Sequence, residues 1–451
     1  MRTRWRVGAG LLTAVTLGLA PGFGLAARSN ELSSNQAGAR AKVLEIYVRS
    51  PVLVRAGQQV HLPVQVVCAT AAGDPCTSTV TLGSRDGTAG PWRLTSARAV
   101  PSLRFDLSAP ASRALGAAQS GTVSFFIRAT GPAGRSESLP AGEGSAPLQF
   151  FVTKNLPVAR APSIPFGRTR TGRTALFLPW GSGWSRAGLQ PGRESASLGP
   201  SSFDVDEAGR IYLADPLQDR VAVFFRGKPE RESAVALGGR ADLALADGGR
   251  AFILDQRGNQ AMARAIEPDG RVGPAVSVGT GIVGQIRTVG GRGVVDLLPQ
   301  DAWTTVSGAP GALIIGRPGI GRPVADRGRL LRVITEDSLR LGLVSGDRVA
   351  DAIEVRFAQR MGELALAEPD GSHGYWAVVH VWRDRPSPAD QYQVIHISGG
   401  RVVQAFAVGD RRFADTPPLA RFRLGRDGFL YQLVTSSSGL RILRYDLGRQ
   451  S

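Results

Sequence analysis

The sequence predicts an all-β protein, and three observations carry that expectation. Gly 57 and Pro 29 together make up almost a fifth of the 451 residues; both interrupt helices and close turns. Short apolar runs with period-two alternation, such as 59–67, lie between those turns. Through the second half a unit of strand, acidic-Gly turn and strand returns every ~40–45 residues. The length suits two or three domains. Apolar residues at 43% are enough for real cores, and charged residues at 20% argue against wholesale disorder.

From the N-terminus, residues 1–27 have the three parts of a secretory signal peptide. Arg2, Arg4 and Arg6 form a positive n-region, Val7 to Ala20 is uncharged, and Gly24-Leu25-Ala26-Ala27 offers cleavage after Ala26 or Ala27. The apolar run is short of the ~20 residues that span a bilayer comfortably. Export by the general secretory route is therefore expected, with no transmembrane helix after cleavage; an uncleaved anchor is the competing reading. The address is secreted or extracytoplasmic, in a periplasm or at a cell surface.

Residues 28–42 are small and polar and read as a linker. Over 43–153, strand-like runs at 43–48, 51–54, 59–67, 78–82, 102–107, 122–129 and 148–152 alternate with Gly/Pro turns and fit a β-sandwich. Cys68 and Cys76 flank a Gly-Asp-Pro turn between two of these runs, so a hairpin brings the thiols together. In an oxidising compartment the disulfide forms and adds about 2–3 kcal/mol by loop entropy. A two-Cys metal or redox site would need partners or a C-x-x-C spacing that the sequence lacks.

Residues 154–173 are basic and Pro-containing and read as an interdomain linker. From 174 to 451 the chain repeats. Phe203-Asp-Val-Asp206-Glu-Ala-Gly209-Arg-Ile-Tyr-Leu-Ala-Asp215 returns as Leu243-Ala-Leu-Ala-Asp247-Gly-Gly249 with Asp255, as Leu364 to Val379 around Asp370, and as Phe422 to Leu433 around Asp427. With 286–306 and 330–357 as two degenerate copies, six units make a six-bladed β-propeller, closed by a strand near Ala175 against the last blade.

The unit at 200–226, with its apolar-Asp-Gly turn, Ile211-Tyr-Leu-Ala-Asp215 and Asp219-Arg220-Val, resembles an NHL repeat. The segment 43–153 resembles bacterial immunoglobulin-like modules in general pattern, without the long-range Cys…Trp…Cys spacing of antibody domains. The NHL-like resemblance implies a propeller that serves as a binding or scaffolding surface. A minority of such propellers, lactonase-like and strictosidine-synthase-like, are enzymes with a metal site in the central channel.

The formal charge is +17, and all but Lys42, Lys154 and Lys228 of the 54 basic residues are Arg. Such an excess could draw an anionic glycan or lipid surface; an evenly solvated Arg surface explains it equally, and no nucleic-acid partner is expected. Among four histidines, His380 and His396 flank one turn and could face each other across a hairpin, with Asp384 or Asp390 adding an oxygen to a metal. Both belong to one blade, which favours structural roles. Gly279-Thr-Gly281-Ile-Val-Gly284 matches G-x-G-x-x-G, but a β-like sequel replaces the helix that would hold a pyrophosphate.

Asp206, Asp215, Asp247, Asp255, Asp370 and Asp427 recur at equivalent positions and read as turn and strand-end structure rather than as calcium or acid/base groups. Asn259 is the only Asn within the propeller segment, which counts against a lactonase-like site. Arg168, Arg170 and Arg173 with Trp180 and Trp184 combine charge and aromatic surface able to hold an anionic glycan, although a solvated linker beside core tryptophans fits the same residues. The sequence thus leads to an exported, non-enzymatic binding or scaffold protein for a protein or glycan, needing no cofactor. The alternative is a propeller hydrolase or lyase.

Overall fold

The structure, a computed structural model, describes residues 25–26, 43–48, 52–69, 75–99, 102–108, 115, 118–131, 135–140, 147–192, 197–280, 283–297, 301–308, 312–324, 328–410, 413–414 and 420–448. The expected signal peptide and the 28–42 linker lie outside these, Leu25 and Ala26 apart. Among the described residues every regular element is a strand except two 3-10 turns, Pro216–Gln218 and Asp247–Gly249. The protein is all-β, as expected. No helix among the described residues is long and apolar enough to cross a membrane.

The N-terminal part is two sheets facing each other across one core. The first pairs Leu25–Ala26, Val43–Val48, Gln59–Ala69 and Ser102–Ser108; the second orders Leu53–Arg55, Leu148–Thr153, Ser120–Thr130, Ser78–Asp86 and Arg93–Ala99, with Ser136–Leu139 also on Ser120–Thr130. Gln59–Ala69 shows why the layers form: Val60, Leu62, Val64 and Val66 are buried while the residues between them are exposed. They pack with Ile46, Val80, Leu82, Phe125, Ile127 and Phe150. Within 43–153, two strands among the described residues escaped the sequence reading. Arg93–Ala99 is an edge strand whose Leu94 is 65% exposed, so it lacks the buried alternation that marks a strand. Ser136–Leu139 is too short to show a period. Cys68 and Cys76 form the expected disulfide, with Cα atoms 5.1 Å apart, but the expected hairpin is corrected: Gln59–Ala69 and Ser78–Asp86 pair in different sheets, so the disulfide sits where the chain crosses from one sheet to the other.

Among the described residues, six further sheets follow in chain order. The first is Ser202–Val205, Ile211–Asp215, Arg220–Phe225 and Lys228–Ala234; the second is Arg240–Leu245, Ala251–Arg257, Gln260–Ile266 and Val276–Thr280. The third is Ile286–Val289, Arg292–Asp296 and Ala302–Ser307, with the short Ile314–Ile315 and Gly319–Ile320 on its edge. The fourth is Arg322–Val324, Gly328–Ile334, Ser338–Ser345 and Arg348–Arg356; the fifth is Arg360–Pro369, Tyr375–Arg383, Ala389–Ser398 and Arg401–Val408. The sixth is Phe422–Leu424, Leu430–Ser436 and Gly439–Tyr445, completed by Arg173–Pro179.

Neighbouring sheets touch in sequence, and the leading strand of the sixth touches that of the first, so the arrangement is a propeller-like ring. Arg173–Pro179, far upstream, pairs with Gly439–Tyr445 and ties the two ends of the ring together. One end of the ring carries the loops joining second to third strands and the links to the next sheet; it is called the upper face below.

The stretch 154–173 is no free tether. Val158–Arg160 adds a parallel strand to Arg348–Arg356, Arg383 stacks over Phe166 at 4.8 Å, and the Arg170 amide donates to the Ala407 carbonyl at 2.7 Å. Its prolines end regular pairing quickly, which made it read as a linker. The two-sheet part docks on the fourth ring sheet: Val52, Leu53, Phe151 and Leu156 pack with Leu331, Val344, Val349 and Ala352. Thr122 Oγ1 donates to Asp347 Oδ1 at 2.6 Å beside this apolar contact.

Candidate functional site

On the axis, the leading strands of all six ring sheets supply a layer of charge. Arg423 of the sixth donates from Nη2 to Asp242 Oδ1 of the second at 2.7 Å and from Nε to the Phe203 carbonyl of the first at 2.9 Å. Ser202 donates to the same Asp242 oxygen at 2.5 Å, and the Ile286 amide donates to Asp242 Oδ2 at 2.7 Å. Arg322 of the fourth holds Glu368 of the fifth through two bonds, and Arg287 of the third lies 3.6 Å from Glu368 and 3.7 Å from Asp242.

Asp204 accepts the Leu245 amide at 2.8 Å; burial pushes its carboxyl above the usual range, against the pull of Arg423 and of the amides of Leu245 and Val205. Arg423 Nη1 is buried without a hydrogen-bond partner among the described residues. The layer pairs guanidinium with carboxylate across the ring, so its charges are engaged in holding the inner strands together.

On the upper face, the loop leading from Arg173–Pro179 into the first ring sheet is fixed from below. Arg220, whose side chain is 6% exposed, donates from Nη2 to the carbonyls of Gly183 at 3.1 Å and Arg186 at 2.6 Å. Gln218 receives the Gly183 amide at 3.0 Å and donates to the carbonyls of Gly181 and Arg186, both at 3.2 Å. Asp215 accepts the Gly188 amide at 3.0 Å and Gln218 Nε2 at 2.9 Å. Burial raises the Asp215 carboxyl, against the Gly188 amide and Arg220. Gly188 is needed here, because a Cβ would sit 2.7 Å from Asp215 Oδ1. The pinned loop presents Trp184, which is 47% exposed. Beside it, Trp180 donates from Nε1 to the Ser436 carbonyl at 2.8 Å and lies 6.5 Å from the Phe413 ring, itself 44% exposed.

The structure distributes the residues singled out in the sequence. Arg170 lies over Phe406 at 4.9 Å and lines a cleft of about 350 Å³ with Ser436 and Arg441, so it neighbours Trp180 through Ser436. Arg173 begins the strand that Trp180 follows and lines a different hollow with Glu207, Asp427 and Arg444. Arg168 is exposed in the turn after Pro165. The five are therefore not one cluster.

The expectation that His380 and His396 face each other is corrected. The hairpin pairs His380 with Tyr392 and His396 with Trp376, because the 383–389 turn sets a register that leaves the imidazoles four residues apart. His396 stacks on Trp376 at 4.2 Å and lies 2.8 Å from Asp370, while His380 lies 3.2 Å from Asp390. After Gly279-Thr-Gly281-Ile-Val-Gly284 comes the strand Ile286–Val289 and no helix.

The repeated acids serve turns and strand ends. Asp206 accepts the amides of Ala208 and Arg210, Asp255 that of Gly238, Asp370 those of Ser372 and Gly374, and Asp427 that of Phe429. Asp247 pairs with Arg426 at 2.5 Å. Sequence reading missed Arg423 and Arg220. Arg423 left a signal: Phe422-Arg423-Leu424 repeats Phe203-Asp204-Val205 with the charge inverted, as expected of residues that answer one another across a ring.

No family model matches the chain, and no curated protein matches it either. Solved structures resemble it loosely. A protein of unknown function from Bacteroides caccae is 16% identical over 49% of this chain and 92% of its own, with a TM-score of 0.33. A streptogramin B lyase is 10% identical over 59% of this chain and 100% of its own, with a TM-score of 0.32. AztD from Citrobacter koseri is 12% identical over 82% and 92%, with a TM-score of 0.28.

Proposed function

We propose that this chain is an exported, non-enzymatic binding or scaffold protein whose upper ring face receives an anionic glycan at the cell envelope. In this reading 43–153 is an immunoglobulin-like sandwich and 174–451 a six-bladed NHL-like propeller, with 154–173 strapped along its edge. The observation that carries it is the loop around Trp184. Two side chains, buried Arg220 and half-buried Gln218, are engaged with its main chain while its tryptophan stays in solvent. A rigid exposed indole loses little entropy on stacking against a sugar ring, the arrangement binding surfaces favour. Arg168 and Arg170 on the neighbouring edge supply positive charge for the anionic groups. The Cys68–Cys76 disulfide suits the oxidising compartment that the leader implies.

The test is co-sedimentation of the mature protein with purified anionic cell-wall polysaccharide, read alongside tryptophan fluorescence. Wild type should bind and Trp184→Ala should lose at least about tenfold in affinity, the scale of a buried aromatic contact, with its melting temperature unchanged. Equal binding by both proteins, or none by wild type, would sink the proposal.

A further inference from the structure

At the upper edge of the fifth ring sheet, three side chains from different strands and links converge. The hairpin pairs His380 with Tyr392 and Trp382 with Asp390, which sets Asp390 diagonally beside His380 on the same face of the sheet. Arg401–Val408 then ends opposite Tyr392, and the chain leaves it through Asp410 over that same edge. His380, Asp390 and Asp410 each offer a ligand atom within 4.8 Å of the others. Gly362 makes room for the imidazole, since a Cβ there would lie 2.4 Å from His380 Nδ1.

Acidic and basic side chains meet at this corner. Arg421 pairs with Asp410, and Glu363 accepts a hydrogen bond from Tyr392 at 2.6 Å. Glu363 thus lies at the Tyr392 phenol, Asp390 at His380 and Asp410 at Arg421, with Arg360 over Trp382 at 5.5 Å. A carboxylate has two oxygens and about four lone-pair sites, so pairing with a guanidinium does not itself exclude coordination.

We propose that His380, Asp390 and Asp410 bind a divalent transition-metal cation of the zinc class, through one imidazole nitrogen and two carboxylate oxygens. The donor set makes the selection: imidazole suits zinc and its neighbours, whereas calcium and magnesium take oxygen ligands only. Three protein ligands leave one position of a tetrahedron open to water or to an incoming group. Asp390, 53% exposed, gives the ion access from solvent. The site lies off the charged axis and stands independently of glycan binding at Trp184.

Calorimetric titration of the full mature chain, tag removed, with zinc chloride tests this. Wild type should take up one equivalent, and Asp390→Asn and His380→Ala should each weaken binding at least about tenfold, as loss of a coordinating group does, at unchanged apo melting temperature. His373→Ala, which touches only Asp351 of the other acids, should bind as wild type. Cobalt should give visible absorption bands that disappear in Asp390→Asn. Should His380→Ala fail to fold, the solvent-facing Asp390→Asn decides alone. Absence of stoichiometric binding, binding undiminished in Asp390→Asn, or preference for calcium over zinc would each overturn the assignment.

Discussion

Two buried arginines in neighbouring parts of the ring are used in opposite ways. Arg423, on the axis, is engaged with Asp242, the Phe203 and Leu243 carbonyls and Ser202, and its partners come from other sheets. Arg220, under the upper face, pairs with Glu232 through Nη1 and turns Nη2 on the carbonyls of Gly183 and Arg186, which belong to a loop. The first arginine joins rigid strands that apolar packing already places. The second orders a segment that has little apolar packing of its own and whose tip, Trp184, stays in solvent. Burying a charge is costly unless it is paired. The axis meets that cost to hold the ring; the upper face meets it to hold one loop in one shape.

The sharpest way to break this comparison is Arg423→Ala. It leaves Asp242 buried with its main charge partner gone, and the expected loss is about 3–5 kcal/mol of unfolding free energy, read by denaturant titration. A loss near zero would mean that the axial layer does not hold the ring. Arg220→Ala should cost less, about 1–3 kcal/mol, because it frees carbonyls that water can reach once the loop opens. Its distinguishing readout is faster hydrogen exchange confined to residues 181–188, with the inner strands unaffected; exchange spread over all six sheets would erase the contrast.

The smallest effect is in pH dependence, where axis and turns carry opposite signs. Burial raises the Asp204 carboxyl above its ordinary 3.8. The folded state then holds that proton more tightly than the unfolded one, and the resulting stability is present below the unfolded value and lost as pH rises through the folded value. Asp370 behaves in reverse. Burial opposes its ionisation, but hydrogen bonds from His396 and from the amides of Ser372 and Gly374 outweigh it and hold the carboxyl below 3.8. Its contribution is present above 3.8 and lost as pH falls through the folded value. Denaturation curves between about pH 3 and 7 should therefore show Asp204→Asn gaining on wild type as pH rises, and Asp370→Asn losing its deficit as pH falls. The same trend in both variants would remove the distinction.

Much of the fold is visible in the sequence because repeating turns and alternating strands are local. Phe203–Asp215 and Phe422–Leu433 each carry a strand, an acidic-Gly turn and a strand within a dozen or so residues, and the disulfide joins cysteines only eight residues apart. Edge strands such as Arg93–Ala99 are hard to see, because half-solvated positions carry little hydrophobic alternation. The sites were far less legible. Tryptophans 180 and 184 stood out as aromatic surface, but nothing near them in sequence names Arg220 and Gln218, more than thirty residues on, as what fixes their loop. His380 and Asp390 stood out together, yet Asp410 joins them only through the fourth strand of their sheet.

By itself the sequence determined the strand periodicity, the acidic turns and the pairing of the two cysteines, since each is set by backbone sterics, side-chain alternation or short separation within a few residues. Tertiary structure alone decided that 154–173 lies along the ring edge, that the two-sheet part docks on the fourth ring sheet through Leu53 and Phe151, and that Arg423 meets Asp242 across the axis. The physical reason is range. Hydrophobic alternation and turn chemistry act between neighbours in the chain, whereas charge pairing across a ring depends on which strands the closed topology brings within about 3 Å of one another.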